Sequence, residues 1–149
     1  MRVSFRASPP NRNFLALDFR QEYPRGHMAG GYARVDVTLR YGNGKDQNFY
    51  ARTHAWVSLS SLQKFVTALE SVERERRGAA RLESMSPGEF ILIIEIFSPA
   101  GHVMAHGQTG RHIYRRNQDL LWVCLPYEIV FDPTKLPSVL REFRGLSQE

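Results

Sequence analysis

Residues Tyr32–Tyr41 read YARVDVTLRY, and they are followed by Gly42-Asn43-Gly44 and then by Gln47–Val57. The first segment alternates strictly. Ala33, Val35, Val37, Leu39 and Tyr41 fall on one side of an extended chain, and Arg34, Asp36, Thr38 and Arg40 on the other. Period-two alternation is the pattern of a strand with one face in a core and one in water. Gly42-Asn43-Gly44 tolerates positive φ and reverses the chain. The return strand places Phe49, Ala51 and Ala55 inward and Tyr50, Arg52, His54 and Trp56 outward. The expectation is one antiparallel hairpin, with Val35, Val37, Leu39 and Phe49 buried beneath the helix that follows.

That helix is read from Leu62, Phe65, Val66, Leu69 and Val72, which recur on one face of a 3.6-residue period. Ser58 or Ser60 can cap its start, Ser60 with Gln63 forming a capping box. Arg74, Arg76 and Arg77 suit its negative end, and Gly78 suits the position after it. Before the hairpin, Arg2–Arg6 and Asn13–Gln21 read as strands, the second with Leu15, Leu17 and Phe19 on one face, and Pro24 to Gly31 as a loop. After the helix come strands at Ala80–Ser84, Glu89–Ser98, Val103–Thr109 and Leu120–Phe131, with Pro99-Ala100-Gly101 as a hairpin turn. Phe90–Phe97 and Leu120–Phe131 are apolar at both parities, the pattern of central strands covered on two faces. Asp132 with Pro133 opens a last helix, whose buried side is Leu136, Val139, Leu140 and Phe143 and which Gly145 ends. The order β-β-β-β-α-β-β-β-β-α, rich in hairpins, predicts an α+β fold: a single, mostly antiparallel, curled sheet with two helices packed on it.

At 149 residues the chain suits a single α+β domain, residues 1–149, which can bury enough surface to stand without disulfides or metal. A lone cysteine, Cys124, excludes an internal disulfide. The start of the sequence lacks the apolar core of a secretory signal, and no run approaches the ~20 apolar residues that span a bilayer, so a cytoplasmic location is expected. Net charge is +5, concentrated in residues 1–40, where seven Arg face Asp18, Glu22 and Asp36. Such a segment favours an acidic partner surface or phosphates. Nucleic acid is the weaker choice, because no Lys/Arg cluster in the sequence alternates with stacking aromatics.

No catalytic set is evident, and neither an enzyme activity nor a cofactor is expected. His102 and His106 lie four apart on one strand, roughly 13 Å, too far to share a zinc ion; no metal site is expected. Cys124 sits between Val123 and Leu125 in the most apolar strand, where a buried thiol is inert. Glu95 interrupts an apolar run and reads as a carboxylate paired to an Arg or facing an edge. The run Glu73-Arg74-Glu75-Arg76-Arg77 reads as a solvated helix end. The serine and glycine patterns lack G-x-S-x-G, G-x-G-x-x-G and the P-loop.

The outward face of the hairpin carries Arg34, Arg40, Tyr50, Arg52, His54 and Trp56, rich in the residue types that anchor protein interfaces. These six are the candidate partner-binding residues. The competing reading is that a helix or the N-terminal strand covers Tyr50 and Trp56.

The order of features also resembles a known family. A polar–apolar hairpin runs into Trp56 and then a helix with Leu62 and Phe65. Gly78-Ala79-Ala80-Arg81-Leu82-Glu83-Ser84 follows, then an apolar strand, Gly101-His102-Val103, Gly107 and Phe131-Asp132-Pro133-Thr134 with Leu136. Over roughly residues 30–146 the chain resembles WapI-type immunity proteins, small intracellular partners of bacterial polymorphic toxins. The resemblance implies a non-catalytic inhibitor that binds a cognate toxin domain directly and tightly. Immunity proteins to nucleases are commonly acidic, whereas this chain is net positive. The resemblance therefore implies a toxin other than a typical basic nuclease, or contact through a local acidic patch. Two alternatives stand beside it. One is a nucleic-acid-binding module using the basic N-terminal third; the other is a small enzyme assembled from scattered residues such as His102, Glu95 and Arg111.

Overall fold

Alternation builds the first half of the molecule as expected. A computed structural model describes residues 2–7, 13–22, 31–42, 48–114 and 120–147. Strands β1 (Arg2–Arg6), β2 (Phe14–Glu22), β3 (Tyr32–Gly42) and β4 (Asn48–Ser58) pair in chain order as an antiparallel sheet, sheet A. The expected loop at 24–31, apart from Gly31, and the turn at 43–44 lie outside the described residues. One parity of sheet A is buried: Val3 and Phe5, Leu15, Leu17 and Phe19, then Val35, Val37 and Leu39, with Ala55 and Val57.

Helix α1 (Leu59–Glu75) buries Leu62, Phe65, Val66, Leu69 and Val72, the five positions the periodicity selects. Its cap is Ser58, whose side chain accepts the Ser61 N–H at 3.0 Å. Of the two caps offered by the sequence Ser58 is the one used, two residues before the Ser60–Gln63 capping box. Arg76, not a glycine, takes the left-handed conformation after the last turn (φ 54°), and Gly78 follows with φ 86°.

The second half forms sheet B from β5 (Gly78–Glu83), β6 (Phe90–Ile96), β7 (Val103–Tyr114) and β8 (Leu120–Phe131), again in chain order and antiparallel. The α+β class and the element order are those expected. The strands, however, are shared between two sheets and do not form one. The 17-residue α1 separates β4 from β5, and β5 pairs with β6 alone. A 3-10 turn, Pro133–Lys135, capped by Asp132, leads into α2 (Leu136–Ser147). This helix runs through Gly145 and buries Leu146 beyond it.

The two sheets and both helices share one buried cluster. Phe143 of α2 meets Phe19 of sheet A and Phe65 of α1 edge-on, at centroid separations of 5.7 and 4.8 Å. Phe5 of β1 meets Phe131 of β8 at 5.4 Å. Polar links follow along β4 and β3. The Trp56 carbonyl accepts the Met85 N–H, Thr53 bonds Thr109 of β7, and Tyr41 bonds the Glu128 backbone of β8. Sheet A thus lies across sheet B and covers its inner face as far as Glu128.

Two expectations fail beside these contacts. Phe49 has the inward parity but is 47% exposed, because it opposes Tyr41 at the turn end of the hairpin, one pair from where the strands stop. β8 is an edge strand, not a central one. Its outward residues Trp122 and Val130 are each over a third exposed, and Cys124 is only half-buried.

Candidate functional site

The register of sheet A aligns its outward residues in rows. Arg2, Asp18, Asp36 and His54 form one row; Ser4, Ala16, Thr38 and Arg52 the next; Arg6, Phe14, Arg40 and Tyr50 the third. On the other side, Arg20, Arg34 and Trp56 align. All six candidate residues, Arg34, Arg40, Tyr50, Arg52, His54 and Trp56, are therefore on one face. Arg2, Arg6, Phe14 and Arg20 join them from β1 and β2. Their place follows from the same parity rule, since Leu15, Leu17 and Phe19 point inward.

Neither a described helix nor β1 covers this face. β1 lies beside β2 within the sheet, and Tyr50 is 63% exposed. Trp56 is half-buried by Tyr32, an edge-on contact at 5.1 Å, and the two rings with Met85 and Ser86 line a shallow cleft of about 310 Å³.

The electrostatics of the face are organised around Asp36, a buried carboxylate at 7% exposure. Arg34 Nε donates to its Oδ1 at 3.1 Å, Arg34 Nη2 lies 3.0 Å from the same oxygen, and Arg20 Nε lies 3.5 Å from Oδ2. Phe14 supports two further cations, with the Arg2 and Arg6 guanidinium carbons 6.0 and 5.4 Å from its ring centre. Among the described residues Arg40 and Arg52 have no carboxylate partner, and both are exposed. Planar, partly preordered guanidinium groups beside exposed aromatic rings suit acidic or phosphate-bearing surfaces.

The residues tested for chemistry do not converge. His102 bonds Ser98 through Nδ1 at 2.7 Å. Glu95, expected to pair with an arginine or to face an edge, lies beside a histidine, with His106 Nε2 3.3 Å from its Oε1, a distance reached without hydrogen-bond geometry. Arg111 opposes Val123 on the far part of β7, seven positions beyond the Met104 that opposes Glu95, roughly 23 Å along the strand. Glu75 pairs with Arg74 and Arg77 at the solvated end of α1, and these hydrogen bonds hold its carboxyl below the usual range. Among the described residues no three His, Cys, Asp or Glu side chains are grouped to hold a metal, and no helix is long and apolar enough to cross a membrane.

Neither the curated proteins nor the solved structures compared with the chain gave a match. The family model described as the Immunity protein WapI-like family matches residues 6–149, nearly the full length and both sheets. The chain belongs to the WapI-like immunity protein family.

Proposed function

We propose that this protein neutralises a cognate toxin domain in the cytoplasm by direct, non-catalytic 1:1 association, and that the outer face of sheet A makes the contact. One observation carries the choice of face. Three strands bring Arg40 and Arg52, which have no carboxylate partner among the described residues, beside Tyr50, with Phe14 in the row of Arg40 and Tyr50 and His54 two positions beyond Arg52 on β4. Aromatic and arginine side chains supply most of the binding energy at protein interfaces. The partner surface is then acidic, which accommodates a net-positive inhibitor. Protection of a producing cell needs near-complete occupancy, hence a Kd of about 1 nM or below, worth roughly −12 kcal/mol. A standard interface of about 1,600 Å² can provide that.

The test is co-expression with the toxin domain encoded beside this protein. Wild type rescues growth and co-purifies as a 1:1 complex, whereas Arg52→Glu folds normally and rescues poorly. Failure of wild type to bind or rescue any adjacent toxin domain ends the immunity reading. Normal rescue by Arg52→Glu moves the contact to another face.

A second reading draws on the same rows. Arg6, Phe14, Arg40 and Tyr50 alternate cations with rings across the sheet, a pattern that suits single-stranded nucleic acid and that the linear sequence conceals. Binding of that kind weakens steeply with salt, because each neutralised phosphate releases counterions.

A further inference from the structure

The far half of β8 is apolar and uncharged and, among the described residues, open along its outer edge. Leu120, Leu121, Trp122, Val123, Cys124 and Leu125 carry no charge, and the first four are more than a third exposed. Opposite them on β7, Ile113 is 49% and Tyr114 77% exposed. Together these side chains leave on the order of 600 Å² in water, divided between the two sides of the strand, against the ~800 Å² that one partner gives to a standard interface.

The strand edge is as open as its side chains. Both backbone groups of Glu128 bond the Tyr41 hydroxyl, so they point away from β7. The β7–β8 register is continuous, and every second residue repeats that orientation: Pro126, Cys124, Trp122 and Leu120. Tyr41 blocks the edge at Glu128, and Pro126 has no N–H to offer. Beyond them Cys124, Trp122 and Leu120 direct three N–H and three C=O groups outward, with no strand beside them among the described residues. Natural edge strands are usually blunted by charge, proline or a bulge. Here those devices stop at Pro126.

We propose that this edge is a homodimer interface, in which β8 pairs antiparallel with β8 of a second copy about a two-fold axis at Trp122. An isologous contact requires a surface complementary to itself. The arginine-rich face of sheet A cannot meet itself without like-charge repulsion, whereas the uncharged 120–125 edge can. The register follows from the blocked positions. With Trp122 on the axis, Leu120 pairs with Cys124 of the second copy and Leu121 with Val123, and neither Pro126 nor Glu128 is used. An axis at Cys124 would set Trp122 against Pro126 and Leu120 against Glu128. The two sheets B then become one eight-stranded sheet, each Trp122 ring stays over its own β7 beside His112, and the outer face of each sheet A remains free.

Sedimentation equilibrium of the full chain without any toxin tests this, so its outcome is separate from that of toxin neutralisation. Wild type is expected to be dimeric at about 100 µM. Leu121→Lys with Val123→Lys sets lysines across the axis and yields a monomer with an unchanged far-UV spectrum. Leu120→Pro removes an outward N–H and no bond to β7, and raises the dimer dissociation constant at least tenfold. A wild-type chain that stays monomeric at that concentration overturns the proposal. So does a dimer that survives both changes, even if a toxin strand is later found on this edge.

Discussion

The Tyr41 hydroxyl donates to the Glu128 carbonyl at 2.8 Å and accepts the N–H of the same residue. One side chain of sheet A thereby satisfies both backbone groups at the edge of sheet B. Tyr41→Phe keeps the ring and leaves both groups without their protein partner. Their loss costs about 1–3 kcal/mol, moderated because the site is reached by water. Urea unfolding of Tyr41→Phe against wild type measures it, and an unchanged midpoint would show that water replaces the hydroxyl at no cost.

Val37 is buried at the centre of sheet A, opposed by Leu17 on β2 and Thr53 on β4. Val37→Asp buries a charge with no partner and costs roughly 3–5 kcal/mol. We also propose that residues 1–149 unfold as one domain, which requires a single urea transition for wild type and for this variant at its lower midpoint. Two resolved transitions would instead assign the sheets to separate units.

The contrast between Val37 and Phe49 shows what the sequence reveals. Parity alone locates Val37, because both neighbouring strands continue past it. Parity also points Phe49 inward, yet depth depends on how far the covering elements extend, and no local pattern reports that. β8 is the converse case. Apolar residues at both parities point to cover on two faces, yet β8 lies at the edge of sheet B and Leu120–Val123 are each more than a third exposed, because composition does not report which strands pair beside it. Sheet membership was likewise hidden, since periodicity fixes faces and leaves pairing partners open. The six candidate residues were legible because they occupy one parity of one hairpin. Arg2, Arg6, Phe14 and Arg20 become visible only when β1 and β2 are placed beside it.

Alkaline pH should destabilise the fold. Burial pushes the Tyr127 hydroxyl well above its ordinary 10.0, and it donates to the Ile91 carbonyl at 2.6 Å. Burial also raises Tyr41, with the Glu128 N–H acting in the opposite sense. A group whose folded pKa is raised contributes fully below its unfolded value, so the contribution is intact below pH 10 and is lost as pH rises through the folded pKa. Urea midpoints should be level from about pH 8 to 10 and fall above that. Tyr127→Phe, though less stable at neutral pH, should show a shallower fall. An equally steep fall in that variant would assign the effect to other groups.

Asp36 separates the two readings of the sheet A face by the sign of one effect. Its carboxylate, beside Arg34 and Arg20, holds the Arg34 guanidinium through a hydrogen bond from Nε and an ion pair with Nη2, and offsets part of the local positive charge. Asp36→Asn keeps the shape but removes the charge and loosens Arg34. A toxin domain that docks on a defined arrangement of anchors should bind the variant more weakly, by about tenfold or 1.4 kcal/mol, because Arg34 must be ordered again on binding. A single-stranded polyanion reads mainly net charge and should bind more tightly, with a steeper dependence on salt. Titrating the adjacent toxin domain and a single-stranded oligonucleotide against both proteins, at two salt concentrations, reads both signs. Weaker toxin binding with a 1:1 stoichiometry supports immunity through this face. Unchanged toxin affinity together with tighter oligonucleotide binding would reassign the face to nucleic acid.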